Sequence, residues 1–250
     1  MERDARSSFL ICCAPRSGSY LLGEALQSAG IGGKSVEYFG PNFEPDIRAL
    51  VGGQHETYRG LLSKILEYGT SPTGVFGAKA HWFQLDSFAA RLAVEARCDK
   101  RVAFHTIIDS FPNLKCIWLR RRDTIRQAIS YDRAAQTNVW WNIDGATPAP
   151  VAQERFDFRS INERLKTIED CDAGWQEFFT DYRVAPLVVW YEDFVASYRA
   201  TVESVAKFIG HHIAEARPLP EPRMQQQADA LTDQWVKQYQ DCLSASSRLA

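Results

Sequence analysis

The chain has 250 residues, a net charge of −2, 45% hydrophobic and 24% charged side chains, and six scattered cysteines. A chain of this size buries roughly three quarters of its unfolded surface, so residues 1–250 are expected to form one domain. Near-neutral charge excludes a global field for nucleic acid or an anionic membrane, and no apolar run approaches the ~20 residues of a membrane span. The cysteines form no Cys-x-x-Cys pair and no Cys/His cluster, which points to reduced thiols in a cytoplasmic protein and to no metal.

Phe9 to Cys13 is an unbroken apolar run, the pattern of a parallel strand buried on both faces. Pro15 stops it. Arg16, Ser17, Gly18 and Ser19 then place a guanidinium, small residues and a permissive glycine before a helix starting near Tyr20, whose free N–H groups would make an anion site. The alternative is an ordinary strand-to-helix turn with a surface arginine. The Gly-x-x-x-x-Gly-Lys-Ser/Thr pattern of nucleoside-triphosphate loops is absent. Leu21, Leu22, Ala25, Leu26 and Ala29 recur at helical spacing up to Gly30, a C-terminal cap.

Glu37 lies between Val36 and Tyr38-Phe39 in a short segment from Gly32 to Pro41. A carboxyl in such an apolar setting has a raised pKa unless it is hydrogen-bonded or paired, and it suits a general base working near neutral pH. A solvated loop glutamate is the alternative. Residues 46–68 look helical with a break at Gly52-Gly53, and 73–82 form a second strand with Lys79 and His81 near its end. In an open parallel sheet the ligand crevice lies beyond the carboxyl ends of the strands. Lys79 is therefore either an anion contact or an exposed strand-end lysine.

Residues 85–110 read as one or two helices, and Leu114 to Leu119 as a third strand running into Arg120-Arg121-Arg122. Asp123 caps the helix that follows, through Ser130 toward Gln136. The arginine triplet is either solvated surface or a second anion feature, and the apolar strand before it favours at least one arginine in the crevice. Gly145 to Pro150 reads as a loop, 160–180 as an amphipathic helix, 186–191 as a fourth strand, and Glu192-Asp193 as the start of a helix ending at Gly210. Pro218, Pro220 and Pro222 open a tail that becomes helical from Gln225 to Gln240, anchored by Trp235 and Tyr239, and residues 245–250 read as disordered.

Pro15-Arg-Ser-Gly-Ser-Tyr-Leu-Leu22, Glu37-Tyr-Phe39, Gly77-Ala-Lys79, Arg121-Arg-Asp123 with Arg126-Gln-Ala-Ile-Ser130, Gln136-Thr-Asn-Val-Trp140, and Gln226-Gln-Ala-Asp229 before Gln234-Trp235 together resemble the bacterial sulfotransferases, more narrowly the trehalose 2-sulfotransferase and lipopolysaccharide sulfotransferase-like family. The resemblance implies an α/β, P-loop-NTPase-like sulfotransferase fold, a central parallel sheet flanked by helices. It implies 3′-phosphoadenosine 5′-phosphosulfate (PAPS) as co-substrate, a hydroxyl of a carbohydrate or glycolipid as acceptor, no metal, and a homodimer. Arg16, Ser17, Gly18, Ser19 and Tyr20 would hold the 5′-phosphosulfate, with Arg16 also stabilising charge on the bridging oxygen. Arg121 and Ser130 would grip the 3′-phosphate, and Glu37 would take the proton of the attacking hydroxyl.

Three positions depart from the family's pattern. Tyr20 stands for its threonine, Arg122 for its proline, which leaves Arg121 or Arg122 for the 3′-phosphate, and Gln226 for its C-terminal arginine. His81 is a runner-up base. Tyr38, Phe39, Trp82, Trp140 and Trp141 either suit stacking on sugar rings or are core material, and the loops at 40–60 and 138–160 would shape the acceptor pocket. A P-loop-type ATP-dependent kinase is disfavoured by the missing lysine and Ser/Thr magnesium ligand, and a catalytically inactive nucleotide-binding homologue remains the third reading.

Overall fold

Phe9, Ile11 and Cys13 point to one side of their strand and Leu10 and Cys12 to the other, and all five are buried. That two-sided burial puts the first strand in the middle of a sheet. The computed structural model of the chain describes residues 5–32, 35–143, 146, 149–213, 219, 221, 223 and 229–246. In it β1 (Ser7–Cys13) lies between β2 (Val75–His81) and β3 (Leu114–Arg120), with β4 (Leu187–Trp190) at the edge, in the order β2-β1-β3-β4 and all parallel. Cys13 pairs with both His81 and Leu119, and Arg120 with Trp190, so the carboxyl ends of all four strands open along one line.

Helices cover both faces. On one, α3 (Tyr58–Gly69), α4 (Trp82–Ala96), α5 (Lys100–Ser110) and α7 (Phe158–Asp181) enclose an aromatic core around Phe76, Phe88, Phe104, Phe111 and Trp175. On the other, α1 (Ser19–Ser28) and α9 (Tyr198–Ile209) bury Leu22, Leu26, Val202 and Val205 against Phe9 and Ile11. A third cluster joins α6 (Thr124–Thr137) and α7 to α10 (Ala230–Ser246) through Ile129, Ile168, Trp235 and Tyr239. The α/β class, with a central parallel sheet flanked by helices, is as expected, and Trp235 and Tyr239 are anchors as expected. No described helix is long and apolar enough to cross a membrane.

Several boundaries moved for local reasons. Residues 46–68 divide into α2 (Glu44–Val51) and α3, because Gly52 closes α2 at φ 72° and Thr57 caps α3 through the Gly60 N–H. Residues 85–110 are two helices, and α4 begins at Trp82 because His81 and Gln84 form a capping box. The helix expected from Glu192 to Gly210 is α8 (Tyr191–Ala196) followed by α9, broken at Ser197. The last helix starts at Ala230 and includes residues 245 and 246, which were expected to be disordered. Gly145, Thr147, Pro148, Pro218, Pro220, Pro222, Gln225, Gln226, Gln227, Ala228 and residues 247–250 lie outside the described residues.

Candidate active site

The turn after β1 takes its shape from two residues with positive φ. Arg16 has φ 64°, and Gly18, the residue before α1, has φ 89°. A side chain on Gly18 would also strike the Tyr191 ring at 2.5 Å, so only glycine fits. No side chain caps α1, which leaves its first N–H groups open for an anion. Ser17 Oγ is buried without a hydrogen-bond partner beside them. From behind, Gln127 Nε2 donates to the Pro15 carbonyl at 2.7 Å and holds the loop on α6.

The three arginines at the end of β3 have three fates. Arg120 pairs with Asp172 at 3.0 Å and lies over the rings of Trp118 and Trp190. Arg122 is exposed and bound in bidentate fashion by Asp193 at 2.7 Å, while its N–H donates to the Glu192 carboxylate. Arg121 turns inward. It is 10% exposed, lies over the Tyr191 ring, and donates from Nη1 to the Arg16 carbonyl at 3.3 Å, while its buried Nε makes no hydrogen bond and lies 3.9 Å from Glu192 Oε1. Arg16 Nε donates to Ser130 Oγ at 3.0 Å, and its Nη1 to the Trp140 carbonyl. Burial and then the Arg121 charge push the Arg16 pKa down to about 10. Arg16, Arg121 and Ser130 thus form one cluster whose two cations would both gain from a shared anion.

Glu37 faces this loop from the other side. Its Oε1 is 3.1 Å from Lys79 Nζ and 3.6 Å from His81 Nε2, and its Oε2 accepts from Gln84 Nε2 at 2.7 Å. Burial pushes the Glu37 carboxyl up, but the Lys79 and His81 charges and the Gln84 hydrogen bond outweigh it and hold the group below its ordinary range. The raised value expected of an unpaired carboxyl is therefore not found, because Glu37 is paired and hydrogen-bonded. Lys79 is not an exposed strand-end lysine. It is 1% exposed, lies under the Tyr20 ring, and burial lowers its pKa to about 8. His81 Nδ1 lies 3.3 Å from the Cys13 carbonyl and 3.5 Å from Cys13 Sγ.

Tyr38, Phe39 and Trp82 are not free to stack on a ligand. Tyr38 packs on Phe76, Phe39 edge-on to Phe88, and Trp82 flat on Phe104, since each sits on a segment whose inner face closes the aromatic core. Trp140 and Trp141 are exposed, as are Tyr20 over Lys79 and Phe83 beside the His81 ring. The sequence reading missed Gln84 and Tyr191. A glutamine three residues after the strand end is the signature of a capping box, which was the available signal for Gln84. Among the described residues no group of three or more His, Cys, Asp or Glu side chains could hold a metal ion.

An uncapped helix start lies at the carboxyl edge of the parallel sheet, with a buried arginine pair on one side and a carboxylate–lysine pair on the other, an arrangement that suits an anion. The chain belongs to the Stf0 sulphotransferase family, whose sequence model matches residues 8–241, and it is a sulfotransferase. It is 28% identical to a trehalose 2-sulfotransferase of Mycolicibacterium smegmatis, over 94% of this chain and 95% of that protein. It is 27% identical to a trehalose 2-sulfotransferase of Mycobacterium tuberculosis, over 96% of each. The sulfotransferase domain of a Synechococcus olefin synthase superposes with TM-score 0.45 at 16% identity, covering 94% of this chain and 84% of that one.

Proposed function

We propose that the protein transfers a sulfuryl group from PAPS to a hydroxyl of a carbohydrate or glycolipid acceptor, with Glu37 as general base. The observation that carries this is the placement of an ionised Glu37 across from the open N-terminus of α1, with Arg16, Arg121 and Ser130 on the far side of the loop. These residues suit the donor. Ser17 Oγ and Arg121 Nε are buried polar atoms that make no hydrogen bond, and two neighbouring guanidiniums with a serine hydroxyl match a dianionic phosphate.

PAPS supplies a sulfuryl group on a phosphate leaving group, and the chain supplies position and charge. Ser17, Gly18, Ser19 and Tyr20, at the loop and first turn of α1, bind the 5′-phosphosulfate through backbone N–H groups and hydroxyls. Arg121 and Ser130 bind the 3′-phosphate, and Arg121 is preferred to Arg122 because Asp193 already neutralises Arg122. Arg16 joins them there, since its guanidinium meets Ser130. Loop N–H groups and Lys79 then carry the stabilisation of charge at the sulfuryl end. Glu37 orients the acceptor hydroxyl and takes its proton as the oxygen attacks sulfur. The names of the two mycobacterial relatives support a carbohydrate acceptor, and Tyr20, Phe83, Trp140 and Trp141 offer aromatic faces to it.

The test is calorimetric titration with 3′-phosphoadenosine 5′-phosphate against adenosine 5′-phosphate, both in EDTA. Binding that prefers the 3′-phosphorylated nucleotide and is lost in Arg121→Ala supports the donor reading, and equal binding of the two sinks it. In a turnover assay with trehalose, Glu37→Gln is expected to lose about 100- to 10,000-fold in kcat while keeping nucleotide affinity.

A further inference from the structure

We propose that Gln84 is a positioning residue of the transfer reaction: its amide fixes the orientation of the Glu37 carboxylate and presents Oε2 as the oxygen that receives the acceptor's proton. The inference rests on Glu37 being the base. It starts from the end of β2. The His81 N–H can only donate, and it meets Gln84 Oε1 at 2.9 Å. That bond fixes which way round the amide lies, so its NH2 group faces Glu37 Oε2 at 2.7 Å. An NH2 group can only donate as well, so Oε2 must accept. Gln84 is 3% exposed, which leaves little room for water to replace either bond.

Oε1 is already flanked by Lys79 Nζ and His81 Nε2. The Lys79 ammonium at 3.1 Å makes Oε1 the less basic oxygen, while Oε2, whose partner is the uncharged Gln84 amide, keeps a lone pair for the acceptor hydroxyl. In the step, the acceptor O–H breaks and its proton goes to Oε2, the new O–S bond forms, and the old S–O bond breaks with its electrons left on the donor phosphate. The capping box that starts α4 is thereby the device that aims the base. The titratable groups facing Glu37 are Lys79 and His81 on β2, Cys13 at the end of β1, Tyr20 on α1 and Tyr131 on α6. Gln84 carries no charge at any pH, so its replacement removes a hydrogen bond without removing a charge.

The test compares the wild type, Gln84→Met and Gln84→Glu by the pH profile of kcat/KM, by thermal melting, and by 13C NMR titration of the Glu37 carboxyl. Gln84→Met is expected to lower kcat about tenfold with donor KM unchanged, and to move both the acid limb and the NMR titration of Glu37 up by about one pH unit. Gln84→Glu keeps an oxygen for the His81 N–H, and hence the helix cap, but sets a second carboxylate against Glu37. It is expected to melt near the wild type while shifting the acid limb further up. If Glu37→Gln is inactive and Gln84→Met leaves the profile and the NMR titration unmoved, the positioning role is overturned and Glu37 stands as base. If Glu37→Gln is active, the catalytic reading falls, and with it the role of Gln84 in the reaction, whatever the NMR titration shows.

Discussion

With its ammonium buried and 3.1 Å from Glu37, Lys79 has given up most of its water for one carboxylate and one aromatic face. Its folded pKa of about 8 lies below the roughly 10.4 of an unfolded lysine. Between those values the unfolded chain binds more protons, so stability rises with pH through that window, and below it the cost of burying the charge is fully present. Lys79→Met is expected to flatten the rise, which denaturant unfolding at pH 7 and pH 10 would detect. The same titration bears on activity. As Lys79 loses its proton above about pH 8, Glu37 loses its principal counter-charge, and kcat/KM is expected to fall there. In Lys79→Met that alkaline limb should be gone, and an unchanged limb would assign it to another group. Gly18→Ala meets both a positive φ and the Tyr191 ring, and is expected to cost about 1–3 kcal/mol and to weaken nucleotide binding.

Each element near the site is held by a terminus that also serves chemistry. The capping box of α4 touches Glu37, and the start of α6 is bound by Asp123 through the Arg126 N–H at 2.8 Å, just beyond the arginine cluster. Asp123→Ala is expected to cost about 1 kcal/mol through the lost cap. It should leave the nucleotide preference intact, because Glu192 still accepts from the Arg122 N–H and holds the end of β3. Farther from the site, Gly174 on α7 gives the indole of Trp82, the first residue of α4, its place against α7, and an added Cβ would overlap the indole ring. Gly174→Ala is expected to destabilise by about 1–3 kcal/mol through overpacking, read as a lower melting temperature with donor affinity unchanged once folded. The 24-residue α7 thus acts as a spine, carrying Asp172 to Arg120 and Trp175 Nε1 to the Cys13 carbonyl at 3.2 Å.

For the molecule as a whole, the proposed donor nucleotide would be a stabilising ligand that reports on the assembled site. At about 100 times its Kd, 3′-phosphoadenosine 5′-phosphate is expected to add about 2.7 kcal/mol, a rise of about 5–10 °C in Tm for a chain of this size. Adenosine 5′-phosphate at the same concentration should add much less, and equal shifts would remove the case for a 3′-phosphate site. Much of this arrangement was present in local sequence. The apolar run at Phe9 to Cys13, the Arg16-Ser17-Gly18-Ser19 turn and the Asp123 cap follow from the conformational preferences of short segments, and each appears where those preferences put it. Glu37, Arg16, Arg121 and Ser130 were also legible as chemically able residues. Their pairings were not. That Lys79 and Gln84 hold Glu37 as an anion depends on β2 lying beside β1 in a register that sets His81 against Cys13. That Arg121 turns inward while Arg122 is neutralised depends on Asp193, which reaches it from the helix after an edge strand about seventy residues away. That Tyr38 and Trp82 are core while Trp140 is exposed depends on which helices close over them. A short segment encodes its own backbone preference, whereas the state of a charge or an aromatic face is set by groups that arrive from distant segments, and only the folded chain fixes those distances.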